Sequence, residues 1–116
     1  MIVLQSVLQK YFGFDSFRGL QEKIINRTVD EKAHSLVLMP TGSGKSLCYQ
    51  IPALIFDGGT LVISPLIALM QDQVDVLRKR NIHASFINST VSKKEREKRL
   101  EHFVSGKTKI LYVTPE

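Results

Sequence analysis

Gly42-Ser43-Gly44-Lys45-Ser46 stands between an apolar run, residues 35–39, and a segment with helical spacing of apolar residues from Lys45 to about Phe56. The apolar run predicts a strand that is buried on both faces. Glycines between a strand and a helix let successive backbone N–H groups point at one centre, and the helix N-terminus adds partial positive charge. This order of elements predicts a phosphate-binding loop.

The residue types in this loop suit the phosphate chain of a nucleotide and its metal ion. The Lys45 ammonium can reach the β- and γ-phosphates, and the Ser46 hydroxyl can ligate Mg²⁺. The predicted site for ATP and Mg²⁺ also includes the loop residues Thr41, Gly42, Ser43 and Gly44. The competing interpretation is a glycine-rich turn with an incidental lysine, and the position between a strand and a helix disfavours it.

The order of strand and helix repeats along the rest of the chain. Further strands are predicted over residues 60–63, 84–87 and 109–113. Ser64-Pro65 predicts an N-cap and a first helical residue for a helix to about Arg80. Ser92 and Glu95 predict a capping box for a helix to about Val104, ended by Ser105-Gly106. Alternating strands and helices predict an α/β fold with a parallel sheet and helices on both faces.

Two helices are predicted before the loop, and Ser16 is the predicted cap of the second. The whole chain is therefore expected to form one partial lobe over residues 1–116. Its helices lie in residues 1–32, and its βαβαβαβ core lies in residues 33–116. Thr114-Pro115-Glu116 follows a predicted strand directly, so at least one more strand is expected beyond it.

Charge is distributed unevenly along the chain. The sequence has 16 Lys and Arg against 11 Asp and Glu, which gives a formal net charge of +5. From Arg78 to Lys109 it contains ten basic and three acidic residues. Such a basic segment predicts a polyanionic partner, and a solvated basic surface is the alternative.

The composition disfavours several classes of protein. A hydrophobic content of 43% is that of a globular protein and argues against general disorder. The single cysteine, Cys48, excludes an internal disulfide and a site with several cysteine ligands. No apolar run is long enough to cross a membrane, and the first ten residues make a poor signal peptide, so an intracellular protein is expected.

Five blocks of sequence resemble, in order and spacing, the RecQ family of superfamily 2 DNA helicases. The blocks are residues 12–21, 39–53, 64–74, 88–90 and 112–116, so the resemblance covers nearly the whole chain. The helicase type of phosphate-binding loop relaxes the first glycine of the general pattern, which suits Met39 at that place. The resemblance implies a RecA-like P-loop lobe, of which this chain forms the N-terminal part.

The resemblance also extends the predicted ATP site. In the family, the block that precedes the loop lies over the adenine. By that match, Phe14 stacks on the base, where family members often carry Tyr, and Arg18 supports the nucleotide. Gln21 reads the adenine edge through two hydrogen bonds, a pairing that the geometry of Asn and Gln favours.

Blocks that follow the predicted strands resemble motifs that hold the phosphates of one DNA strand through backbone and hydroxyl groups. By this match the chain contacts DNA through Ser64, Pro65, Leu66, Asn88, Ser89, Thr114 and Pro115.

For the intact protein, the resemblance implies an ATP-driven 3′-to-5′ helicase that moves on single-stranded DNA and unwinds duplex junctions. Such a protein serves DNA repair and recombination in a bacterial cytoplasm or a eukaryotic nucleus. The family's Asp-Glu-x-His box and its second RecA-like lobe do not occur in this sequence, so the chain alone is expected to hydrolyse ATP negligibly.

Other interpretations stay open at this point. One is a non-catalytic module that binds a nucleotide or nucleic acid. A weaker one is another P-loop phosphotransferase, such as a nucleotide kinase. RNA can also replace DNA as the substrate, since backbone contacts carry little base information.

Overall fold

The computed structural model describes residues 4–39 and 44–115. These residues divide into two units, one within residues 1–57 (unit 1) and one within residues 58–116 (unit 2). Unit 1 contains the helices α1 (Leu4–Phe12), α2 (Gln21–Val29) and α3 (Leu47–Ile55). Unit 2 contains β1 (Thr60–Ile63), α4 (Ile67–Lys79), β2 (Ala84–Ile87), α5 (Lys93–Val104) and β3 (Ile110–Val113). The predicted single lobe, divided after residue 32, stays a prediction.

The strands of unit 2 form a parallel sheet in the order β1-β3-β2. Ile110 of β3 pairs with Thr60 on one side and with Ala84 on the other, so β3 is the central strand. Ile110, Leu111 and Tyr112 are all buried, as expected of a strand that is covered on both faces. The predicted α/β class with a parallel sheet is confirmed, as are these three strands to within one residue.

The helices of unit 2 follow local sequence signals. α4 packs on β2 and buries Met70, Val74 and Leu77, which recur at helical spacing. α5 begins as predicted, because the Ser92 hydroxyl accepts a hydrogen bond from the Glu95 N–H at 3.2 Å. Gly106 follows α5 with φ 88°, a left-handed conformation that ends helices. Among the described residues, no helix has the length and apolar character that a membrane span requires.

Two arginines cover the outer edge of β2. The His83 carbonyl accepts hydrogen bonds from the segment that leads into β3, so the carbonyls of Ala84 and Phe86 face the opposite side. Arg78 Nε donates to Ala84 O at 3.0 Å, and Arg99 Nη1 donates to Phe86 O at 2.7 Å. Because these carbonyls already have partners, the edge offers fewer groups to a further strand.

The predicted strand over residues 35–39 is wrong. The structure has no strand there, and Leu36 and Leu38 are 92% and 89% exposed. An apolar run becomes a strand only when a neighbouring strand supplies partners for its backbone groups. Within the described ranges, no strand pairs with this run.

Two predicted helix starts are also wrong. Leu20, not Ser16, precedes α2, and no side chain caps that helix. The N-cap of α4 is Leu66, two residues after Ser64. The Ser64 hydroxyl instead accepts a hydrogen bond from the Leu66 N–H at 3.2 Å. A serine hydroxyl can support a local turn as well as cap a helix, and here Ser64 lies at the turn that precedes the helix.

Replacing Arg99 with Ala should lower the free energy of unfolding by about 1.5–3 kcal/mol, the range for a hydrogen bond to a charged group. The change removes the bond to Phe86 O, the 3.1 Å ion pair with Glu95 and the packing of the guanidinium 4.8 Å from the Phe86 ring centroid. Arg96→Ala, at an exposed position of the same helix, is the matched control and should change stability by less than about 0.5 kcal/mol. Urea unfolding followed by circular dichroism measures both, and equal effects would contradict the role given to Arg99.

Candidate nucleotide site

A cavity of about 340 Å³ opens in unit 1, within the range of about 300–1,000 Å³ that small-molecule sites occupy. It is lined by Phe14, Ser16, Arg18, Gln21, Gly44, Ser46 and Leu47. The first four come from the segment before and at the start of α2, and the last three come from the end of the glycine-rich loop and the start of α3. Two blocks that are distant in the sequence therefore share one cavity.

Gln21 joins these two segments through its side-chain amide. Its Oε1 accepts a hydrogen bond from the Arg18 backbone N–H at 2.8 Å, and its Nε2 donates to the Gly44 carbonyl at 3.1 Å. The residue is only 2% exposed. An amide side chain has two donor hydrogens and two acceptor lone pairs, and these bonds use one of each. The same group can therefore make a further donor and a further acceptor contact.

Gly44 is required where the loop meets Gln21. Its φ of 81° lies in the left-handed region, which favours glycine. A Cβ at this position would collide with Gln21 Nε2 and would lie 3.3 Å from Arg18 Nη2. The close approach of the loop backbone to the Gln21 amide thus depends on the absence of a side chain.

Phe14 and Arg18 complete the open side of the cavity. Phe14 is 50% exposed, so its ring can offer a face to a flat group. Arg18 is exposed and brings a positive charge to the same space. Sequence reasoning missed Leu47 as a lining residue and assigned Ser16 to a helix cap. The signal for both was their position beside predicted site residues in the chain.

The loop residues are only partly placed by the structure. Ser46 lines the cavity, whereas the exposed Lys45 lines a neighbouring one of about 420 Å³ together with Cys48 and Tyr49. Adjacent residues at the start of a helix project in different directions, which explains why Lys45 and Ser46 line different cavities. The remaining predicted loop residues, Thr41, Gly42 and Ser43, lie outside the described residues.

Unit 1 offers little to a metal ion on its own. In the part of the chain that the structure describes, no group of three or more His, Cys, Asp or Glu is placed to hold one. A Mg²⁺ bound beside Ser46 would therefore take most of its oxygen ligands from phosphate groups and water. The Cys48 thiol is a poor metal ligand, because burial raises its pKa and favours the protonated form.

The predicted DNA-contacting residues follow the strands of unit 2. Ser64, Asn88 and Thr114 come directly after β1, β2 and β3, whose last residues pair in register. The Ser64 N–H donates to the Val113 carbonyl at 2.9 Å, which keeps the ends of β1 and β3 together. The three residues lie along the carboxyl edge of the sheet, where parallel α/β folds place their binding sites.

These residues differ in their accessibility. Four of them are exposed, and Ser64 and Thr114 are half-buried. The exposed ones are Pro65, Leu66, Ser89 and Pro115. Asn88 is 7% exposed, its Oδ1 accepts the Thr90 N–H at 2.9 Å, and its Nδ2 lies 3.5 Å from Met70 Sδ. The Asn88 amide therefore holds the turn after β2.

Comparison with known proteins identifies relatives of the whole chain. The sequence model of the DEAD/DEAH box helicase family matches residues 18–116. An "ATP-dependent DNA helicase RecQ" of Bacillus subtilis (strain 168) is 50% identical over 112 residues, which are 97% of this chain and 19% of the relative. The protein of the same name in Haemophilus influenzae is 53% identical over 111 residues, 96% of this chain and 18% of the relative. "ATP-dependent DNA helicase Q5" of Rattus norvegicus is 50% identical over 116 residues, 97% of this chain and 12% of the relative.

The chain spans less than a fifth of the length of these relatives. Identities of about half, over nearly all of the chain, confirm the predicted resemblance to the RecQ family. The family match runs from Arg18, at the rim of the cavity in unit 1, to the last residue of the sequence. The chain belongs to the DEAD/DEAH box helicase family.

Proposed function

We propose that unit 1 binds the adenine nucleotide of an ATP-dependent DNA helicase of the RecQ type that moves 3′ to 5′. The observation that carries this proposal is the shared cavity of the two blocks, with the Gln21 amide bonded to both of them. The names of the relatives, which are ATP-dependent DNA helicases, support it.

The adenine base has a polar edge and two flat faces, and the cavity has groups for each. The second hydrogen of Gln21 Nε2 suits the N7 acceptor of adenine, and the second lone pair of Oε1 suits its N6 donor. The half-exposed Phe14 ring stacks on one face of the base. Arg18 adds a positive charge beside the anionic nucleotide.

The glycine-rich loop and the start of α3 would hold the phosphate chain. Thr41, Gly42, Ser43 and Gly44 would supply backbone N–H groups to the phosphates, and the Lys45 ammonium would hold the β- and γ-phosphates. Ser46 provides a hydroxyl ligand for Mg²⁺. The bound ATP supplies the phosphoryl group whose transfer to water drives movement, and this chain's own residues bind and orient it.

Unit 2 provides the DNA track in this proposal. The carboxyl edge of its sheet, from Ser64 through Ser89 to Thr114, holds the phosphates of single-stranded DNA next to a duplex junction. A second RecA-like lobe and an acidic box elsewhere in the longer protein supply the water-activating groups. Such a protein acts inside the cell, in a bacterial cytoplasm or a eukaryotic nucleus.

Gln21→Ala should weaken ATP binding roughly 10- to 30-fold, because it removes two neutral hydrogen bonds of about 1 kcal/mol each. It should also remove the preference for ATP over inosine triphosphate, which carries an oxygen in place of the N6 amine. Gln9→Ala, at an exposed position of α1, is the control and should leave both affinities unchanged. Calorimetric titration with the Mg²⁺ complexes measures them, and a variant that loses affinity but keeps the preference would show that Gln21 does not read the base.

The chain alone should hydrolyse ATP at a negligible rate. A form extended through the acidic box and the second lobe should turn over ATP, and single-stranded DNA should stimulate it. Phosphate release with and without DNA measures both proteins. Robust turnover by the chain alone would contradict the proposal that the second lobe and the acidic box supply the water-activating groups. An extended form that binds ATP but never hydrolyses it would favour a non-catalytic binding module.

A further inference from the structure

A wide groove of about 1000 Å³ lies beside β2 in unit 2. It is bordered by the end of α4, the residues that lead into β2 and β3, and one side of α5. Its charged and imidazole-bearing lining residues are Arg78, His83, Glu95, Lys98, Arg99, His102 and Lys107. Basic groups thus outnumber the one carboxylate. All the lining residues lie within the basic segment from Arg78 to Lys109.

Most of this positive charge lacks a counterion. Glu95 pairs with Arg99 at 3.1 Å, which uses the carboxylate of the groove. Lys98 and Lys107 are exposed and form no ion pair within the described residues, and Arg78 Nε donates to a neutral carbonyl. Arg78 of α4, Lys98 of α5 and Lys107 of the loop before β3 therefore line one open space, and a bound polyanion would relieve their mutual repulsion.

Backbone pairing with a partner in this groove is hindered. Arg78 and Arg99 already hold the outward carbonyls of Ala84 and Phe86, so an added strand would have to displace two charged side chains. The Phe86 ring lies under the Arg99 guanidinium, 4.8 Å from its centroid, and is not free to stack on a base. Positive charge is therefore the feature of the groove that best suits it to recognise a partner.

We propose that this groove is a second nucleic-acid surface, which binds the phosphate backbone of a strand without reading its bases. Cations that are spread along an open groove suit repeated phosphates better than a single small anion. The choice of nucleic acid over an acidic protein rests on the proposed function as a DNA helicase.

None of the predicted DNA-contacting residues at the carboxyl edge of the sheet lines this groove. β2 lies between His83 at the groove and Asn88 at that edge. At about 3.3 Å per residue, the five residue steps between them span roughly 16 Å. A strand in the groove would therefore add contacts to those of the first track.

The double variant Lys98→Gln/Lys107→Gln tests the groove. The control is the double variant Lys10→Gln/Lys23→Gln, which makes the same change in net charge at exposed helical positions of unit 1. The probe is a fluorescein-labelled oligothymidylate, and its anisotropy gives the affinity across a series of salt concentrations. The groove variant should reduce the slope of log K against log salt by about 1.4, since each phosphate contact to a single strand contributes about 0.7. The control should keep the slope, and Lys98→Arg/Lys107→Arg should restore it.

Equal slope changes in the two glutamine variants, an unchanged slope, or no DNA binding by the unaltered chain would overturn the proposal. Polyglutamate is the second probe. If the groove variant loses affinity for polyglutamate while its DNA slope is unchanged, the groove takes an acidic protein and the proposal is wrong. A failure confined to the groove variants leaves the Gln21 and ATP turnover results intact and so overturns this inference alone. Absent DNA binding by the unaltered chain would also contradict the DNA track proposed for unit 2.

Discussion

The side-chain amide of Gln21 is the interaction on which the candidate site depends. A buried amide without partners costs free energy, and this one meets the requirement by bonding to the backbone of both segments that line the cavity. Gly44 makes the second bond possible, because a side chain there would occupy the place of the amide. One polar group thus couples the conformation of the loop to the segment that carries Phe14 and Arg18.

Local chemistry explains which parts of the fold were predictable. The start of α5 was predicted because the Ser92 hydroxyl acts on an N–H only three residues away. The strand predicted over residues 35–39 does not form, because strand formation depends on a distant partner that an apolar run does not reveal. Ser64 was predicted only in part. Its residue type predicts a local hydrogen bond but does not show whether that bond supports a turn or a helix start.

The candidate site was predictable in its members but not in its arrangement. Resemblance pointed to Gln21 as a residue that reads a base, yet its burial arises from contact with Gly44, 23 residues further along the chain. The run of basic residues indicated a polyanion. Which of them face a common groove depends on the packing of α5 against β2, which brings Lys98 and Arg99 to it.

An NMR titration of the ¹⁵N-labelled chain with Mg²⁺ and ATP shows whether the nucleotide binds at the Gln21 amide, since each amide reports on its own surroundings. We expect the side-chain amide of Gln21 and the backbone amides of Gly44 and Ser46 to shift together as the nucleotide saturates the chain. The amides of the groove beside β2 should stay unchanged at the same concentrations. Shifts confined to that groove, or an unaffected Gln21 amide at saturation, would contradict the proposed binding of the nucleotide at Gln21.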